Sequence, residues 1–153
     1  DEPLIPAAVI DQVATNLASH PDCQMATLCE PIELADDVFN PNVVKVVRAT
    51  NGKALYFSRN PIPYIRDIPQ EDWPTASTYW GHVGIYAYRK RVLVEYPNLP
   101  EAELEQLEKL EQLRLLEAGK QILAVPIDYR PHAVDVPPDL EVAKELMATE
   151  MAN

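Results

Sequence analysis

The sequence predicts a three-layer α/β fold with an inserted antiparallel hairpin. Three observations predict it. Strand-like apolar runs alternate with amphipathic helical segments, the pattern of helices packed on a sheet. Two β-rich runs flank Asn51-Gly52, a favoured hairpin turn. Prolines at 6, 100 and 137–138 stand where helices start, a position proline tolerates.

Taken in order, Pro6 is followed by Val9, Ile10, Val13 and Leu17, the spacing of a helix with one apolar face, ending near His20-Pro21. Residues 24–29 read as a short strand, and residues 33–39 as a brief helix stopped by Asn40-Pro41. Residues 43–47 and 54–58 are rich in Val, Tyr and Phe and form the two arms of the hairpin, with Asn51 and Gly52 both expected at positive φ. Residues 60–80 carry Pro61, Pro63, Pro69, Pro74, Tyr64, Trp73, Tyr79 and Trp80. That is too long for a simple connector and reads as a functional or interface loop. Residues 82–88 form the next strand, and Leu93 and Tyr96 lie on a short helix stopped by Pro97. Pro100 opens one long glutamate-rich helix with leucines at 104, 107, 110, 113 and 116 before Gly119. Leucine every three residues drifts around a helix, so this is no heptad seam. Residues 121–127 form a final strand, and Leu140, Ala143, Leu146 and Met147 line one side of a last helix.

The chain has 153 residues, 47% hydrophobic and 24% charged, a composition suited to one globular domain. Its formal charge of -11, from 24 acidic against 13 basic side chains, excludes a nucleic-acid binder. The basic residues nonetheless gather in the middle third, where Lys45, Arg48, Arg59, Arg89 and Arg91 can attract a small anion. Cys23 and Cys29 lack zinc-site spacing and read as reduced thiols, which fits the cytoplasm. No apolar stretch reaches the ~20 residues that span a bilayer.

Two acidic turns bracket the chain, at Asp1 and at Asp135. Carboxylates at two strand ends can share a Mg²⁺ ion, with substrate phosphates as its remaining ligands. A polypeptide that opens inside a turn, with no glycine-rich phosphate loop, is expected to follow an upstream segment that supplies one. Asp135 also fits as the cap of the helix it precedes, and a terminal Asp such as Asp1 is ordinarily solvated. On the strand at residues 82–88, His82, Gly84, Tyr86 and Tyr88 share one face, with structural hydrogen bonding and ligand contact both open to them. The adjacent glycines are expected to allow close approach. Glu111 has Arg114 as its i, i+3 neighbour, a weak contact that does not account for the Glu111-Gln112 pair. His20 and His132 read as surface or structural residues.

Six ordered segments carry a family resemblance: Asp1-Glu2-Pro3-Leu4-Ile5-Pro6, Phe39-Asn40-Pro41-Asn42-Val43-Val44-Lys45-Val46-Val47, Ala54-Leu55-Tyr56-Phe57-Ser58-Arg59, residues 82–89, Leu110-Glu111-Gln112-Leu113-Arg114 and Val134-Asp135. Over essentially the whole chain they resemble the C-terminal three-fifths of 3-deoxy-manno-octulosonate cytidylyltransferases. The resemblance implies a Rossmann-like nucleotidyltransferase fold, usually a homodimer. It also implies a reaction joining CTP to the acid sugar Kdo, giving CMP-Kdo and pyrophosphate for lipopolysaccharide assembly. By the same resemblance Asp1 and Asp135 are Mg²⁺ ligands, Arg59 steadies an anionic sugar or phosphate, and His82, Tyr86, Glu111 and Gln112 line the Kdo pocket. Residues 1–153 would be the C-terminal part of a single nucleotidyltransferase domain, inactive without its CTP-binding part. Where the family reads VDTPED, this chain reads Val134-Asp135-Val136-Pro137-Pro138-Asp139, keeping the proposed metal ligand. Two alternatives stand beside this reading: a sibling enzyme for another acid sugar such as sialic acid, and a non-catalytic dimerising half-domain using the hairpin and the loop at 60–80.

Overall fold

In a computed structural model, which describes residues 4–128, 134 and 137–150, a five-stranded sheet separates two helical layers. The strands are β1 (Met25–Pro31), β2 (Lys45–Arg48), β3 (Ala54–Ser58), β4 (Trp80–Tyr88) and β5 (Ile122–Pro126). The helices are α1 (Ala7–Ser19), α2 (Ala35–Phe39), α3 (Trp73–Ala76), α4 (Lys90–Glu95), α5 (Glu103–Glu108), α6 (Gln112–Glu117) and α7 (Pro137–Glu150). The sheet order is β3-β2-β4-β1-β5, with β1 and β5 parallel and the other pairs antiparallel.

Strand alternation sorts the core into two halves. Ala26, Leu28, Leu123 and Val125 face α1, whose Val9, Val13 and Leu17 fill that side. Met25, Cys29, Ile122 and Ala124 face the opposite way, onto Val92 of α4 and onto Leu113 and Leu115 of α6. Three layers result, as the alternation of elements predicts. Arg89 ties down the end of α1 and the turn after it: its guanidinium donates to the carbonyls of Leu17, His20 and Cys23 at 2.8, 3.0 and 2.9 Å.

The hairpin forms as expected, but its turn differs. Only Gly52 has positive φ, at 82°, while Asn51 does not. The Gly52 amide donates to the Ala49 carbonyl and the Ala49 amide to that of Lys53. This is a three-residue connection with glycine in the left-handed position. The hairpin tip then reaches across to β5, where Gly52 O accepts from the Ala124 amide at 3.0 Å and Arg48 Nε donates to Ala124 O at 2.8 Å.

The segment at 60–80, read from its length as a functional or interface loop, packs part of itself into the fold. Trp73 and Tyr79 are buried with Val38 in a small core of their own, tied by Trp73 Nε1 to Ile68 O at 2.9 Å and Tyr79 OH to Pro63 O at 2.6 Å. Its aromatics are largely consumed in folding it, and Tyr64 alone among them stays mostly exposed, edge-on to Trp73.

The long glutamate-rich helix is two helices. Lys109 takes the left-handed conformation, φ 55°, and ends α5. Steps of three residues rotate a side chain by about 60° around a helix, so five such leucines cannot all face one core. The break leaves Leu107 at 72% exposure and swings Leu110, Leu113 and Leu115 inward. It also redirects Arg114, which pairs with Glu105 at 2.6 and 2.8 Å instead of with Glu111. Leu113→Ala is expected to cost about 2–5 kcal/mol in urea unfolding, as a large-to-small core change does. Leu107→Ala should stay within about 0.5 kcal/mol, as surface changes do.

Candidate functional site

His82, Tyr86 and Tyr88 project from the central strand β4 toward α6, the face that alternation predicts. The register places His82 opposite Cys29, near the carboxyl end of β1, and Tyr86 opposite Thr27. Between these pairs the register slips, and the hydroxyl of Thr27 lies 2.8 Å from Ile85 O and 3.2 Å from Val83 O. A hydroxyl has one proton, and these carbonyls take it. His82 Nε2, 2.9 Å from the same oxygen, must therefore be the donor to it. The network thus assigns the Nε2–H tautomer and leaves Nδ1 as an acceptor. Phe57 stands edge-on to the imidazole at 5.0 Å and Tyr86 lies 5.5 Å away. Burial lowers the His82 pKa to about 4, so the ring is neutral at physiological pH.

Gln112, the first residue of α6, is 3% exposed. Its Oε1 accepts from the Tyr86 hydroxyl at 3.2 Å, while its Nε2 is buried without any partner among the described residues. Rotating the amide would only move the orphan to its other end. A buried polar group left unpaired costs about 1–3 kcal/mol, so this one asks for a ligand. Glu111 precedes it and is exposed at the lip, and its carbonyl accepts from Tyr96 OH at 3.2 Å. Burial first, then the charges of neighbouring Tyr88 and Glu111, push the Tyr86 hydroxyl well above its ordinary pKa; burial chiefly raises Tyr88 to about 12. Both phenols are therefore neutral and able to donate.

Arg59 follows β3 and is half-buried. Its Nε donates to Glu108 O at 2.7 Å, one terminal nitrogen to Pro41 O at 3.0 Å and the other to Lys109 O at 3.5 Å. Three of five N–H groups are so engaged, and two remain for an anion. The structure thus gathers His82, Tyr86, Glu111 and Gln112 at one place, with Arg59 held to the end of α5 close by in the chain. Asp1 and Asp135 lie outside the described residues, as does His132. The glycines act differently from the close approach expected of both. A Cβ on Gly81 would meet Ile32 Cγ1 at 3.3 Å, whereas one on Gly84 would meet open space.

Glu108 escapes sequence reasoning, and Lys45 is not the anion-attracting cation that the sequence suggests. Lys45 is fully buried, its ammonium donating to Asn40 O at 2.8 Å and Val43 O at 2.6 Å, with burial lowering its pKa to about 8. Glu108, one of many glutamates in its segment, accepts from Ser58 Oγ at 2.6 Å and from the Arg59 amide at 2.9 Å. A cleft of about 200 Å³ opens at the carboxyl ends of β1 and β5, lined by Glu30, Glu33, Asp37 and Asp128 among others. Open α/β sheets bind ligands at such ends. Among the described residues, no three His, Cys, Asp or Glu side chains converge as a metal site. Cys23 and Cys29 are free and buried, with burial raising the Cys29 thiol to about 11.

The depressed His82 pKa has a sign that can be checked. Its ordinary value is 6.5 and the folded value about 4, so below 6.5 the unfolded chain gains a proton the native ring refuses. This ring's contribution to stability is whole above 6.5 and declines as pH falls from there toward 4. In NMR spectra the native His82 resonance should hold its position from about pH 8 to 5, where an unperturbed histidine titrates.

A family model described as Cytidylyltransferase matches residues 1–122. A 3-deoxy-manno-octulosonate cytidylyltransferase of Alcanivorax borkumensis is 55% identical over 145 residues, covering 92% of this chain and 57% of the relative. The enzyme of the same name from Nitrosococcus oceani is 47% identical over 158 residues, covering 100% of this chain and 61% of its own. The solved structure of CMP:2-keto-3-deoxy-manno-octonic acid synthetase complexed with CTP superposes with a TM-score of 0.87 at 42% identity, over 98% of this chain and 59% of that one. The chain thus spans about three-fifths of the length of these relatives, and shares with them the Rossmann-like nucleotidyltransferase fold. By the match over most of its length, this chain belongs to the cytidylyltransferase family.

Proposed function

We propose that the chain supplies the acid-sugar-binding part of an enzyme that joins CTP and 3-deoxy-manno-octulosonate into CMP-Kdo and pyrophosphate, for lipopolysaccharide biosynthesis. The observation that carries this reading is the orphan Nε2 of Gln112, whose other amide end accepts from the Tyr86 hydroxyl, with the His82 ring 5.5 Å from that of Tyr86. A sugar with many hydroxyls needs both donors and acceptors in fixed directions. Gln112 offers a donor, His82 and the Glu111 carboxylate offer acceptors, and the two remaining N–H groups of Arg59 suit a carboxylate. The named relatives support the same assignment.

Held this way, the sugar presents its anomeric hydroxyl to the α-phosphate of CTP. The hydroxyl oxygen forms the new P–O bond, pyrophosphate leaves with the old one, and the hydroxyl proton departs. Orientation is the contribution of these residues, since fixing two reactants in line removes much of the entropic barrier. Asp1 and Asp135 would hold Mg²⁺, whose preference for carboxylate oxygen fits the pair, and which when bound neutralises phosphate charge. The intact enzyme works in the cytoplasm as a homodimer on this reading. Two free thiols suit that compartment, and no helix among the described residues is long and apolar enough to cross a membrane.

Pyrophosphate release by the full-length chain, assayed with CTP and a panel of acid sugars, tests the proposal. Kdo should be turned over and sialic acid not; the reverse would transfer the assignment to the sibling enzyme, and no turnover at all would favour the half-domain. Gln112→Ala should raise KM for Kdo by about tenfold, the worth of one buried hydrogen bond, with KM for CTP unchanged. Chelation of divalent ions should abolish turnover reversibly, and Asp135→Ala should lower kcat by about 100-fold or more.

A further inference from the structure

The two groups assigned to the sugar's charged end and its hydroxyls come from different places in the chain, Arg59 at the end of β3 and Glu111-Gln112 at the start of α6. Something must hold them at a fixed separation. Glu108 touches the first and precedes the second by three residues. Its carboxylate accepts from Ser58 Oγ at 2.6 Å and from the Arg59 amide at 2.9 Å, and its own carbonyl accepts from Arg59 Nε at 2.7 Å. The next residue, Lys109, is the left-handed break that starts the turn into Gln112, and its carbonyl takes a further N–H of Arg59. A third segment joins the same cluster. Arg59 donates to Pro41 O, and the buried ammonium of Lys45 donates to Asn40 O and Val43 O. Glu108 and Arg59 both act electrostatically on Lys45, in opposite directions.

We propose that Glu108 is a positioning residue, its carboxylate fixing the Arg59 backbone and its carbonyl the Arg59 guanidinium relative to the Glu111-Gln112 turn. It does not touch substrate. The inference rests on the functional reading above, because only there do Arg59 and Gln112 act on one molecule. A glutamine at 108 keeps the size and one acceptor oxygen but removes the charge. It turns an N–H₂ toward either the Ser58 hydroxyl or the Arg59 amide, so that one of these two donors loses its acceptor. The Arg59 fork keeps its carbonyl partners, but the Arg59 backbone that carries it loses a charged acceptor and with it the fixed position of the fork.

The test is the kinetics of the full-length enzyme. Glu108→Gln should raise KM for the acid sugar about tenfold, in keeping with the sensitivity of reactions to small misplacements, with KM for CTP within about twofold of the parent. Glu108→Asp, which keeps the charge, should recover part of the loss. Ser58→Ala removes the hydroxyl that donates to Glu108 and accepts from the Asn60 amide at 3.0 Å, leaves every charge in place, and should shift the same constant in the same direction by a smaller factor; it carries the test should Glu108→Gln fail to fold. An unchanged KM for the acid sugar in the folded variants, or equal rises for both substrates, would overturn the proposal. A parent enzyme with no turnover of CTP and acid sugar would overturn the functional reading first, and this inference with it.

Discussion

Five leucines spaced by threes cannot share a core from one straight helix, and the way the chain escapes that constraint decides where the site stands. Lys109 turns left-handed, α5 ends, and α6 restarts with Gln112 pointing inward and Leu113 and Leu115 beneath it. A left-handed non-glycine residue is disfavoured by its Cβ, so the conformation persists only where its surroundings impose it. Here the surroundings are the buried leucines on one side and the Arg59 fork on the other, which takes up the carbonyls of Glu108 and Lys109. Without the break, Glu111 and Gln112 would sit in mid-helix, on a face fixed by Leu104 and Leu107.

β4 does a second job from the centre of the sheet. One of its faces, Val83, Ile85 and Ala87, is ordinary core against α1, while the other sets polar rings among apolar neighbours. Burying polar groups is costly unless each is hydrogen-bonded, and Thr27 and Gln112 meet most of that need. The residual cost is confined to one amide end. A site built on a strand and a helix start is also more rigid than one on loops, which suits recognition by many directional contacts.

Much of this was legible in the residues, for reasons of period. The alternation of residues 82–88 predicts both faces of β4, and the Asn-Gly pair predicts the hairpin. What was not legible arises from interactions distant in sequence. Nothing local distinguishes Glu108 from Glu101, Glu103 or Glu105; its partners are fifty residues away on β3. Lys45 reads as one half of an alternating strand and would be expected in solvent, yet it is sealed by the turn at 40–43. The proline-aromatic segment reads as a functional or interface loop because it is long and irregular, and nothing in that pattern shows that Trp73 and Tyr79 make a core of their own. Arg114 ignores Glu111 because the break brings Glu105 within reach of a bidentate pair. The family motifs contain residues that the fold brings together, His82, Tyr86 and Gln112; the ties that hold them lie between the motifs.

The meeting of the hairpin tip with β5 has a bearing on solution behaviour. Among the described residues β5 is the edge strand of the sheet, apolar on both faces, and such a margin ordinarily invites a foreign strand to add on. On its outer side Ala124 has both backbone groups taken, one by Gly52 and one by Arg48. Two residues on, Pro126 has no amide to offer, and its carbonyl is held by Gln12 Nε2 at 3.0 Å. A would-be templating chain therefore meets a margin already closed, and this sheet is guarded against amyloid-like growth along β5 by a loop, an arginine and a proline.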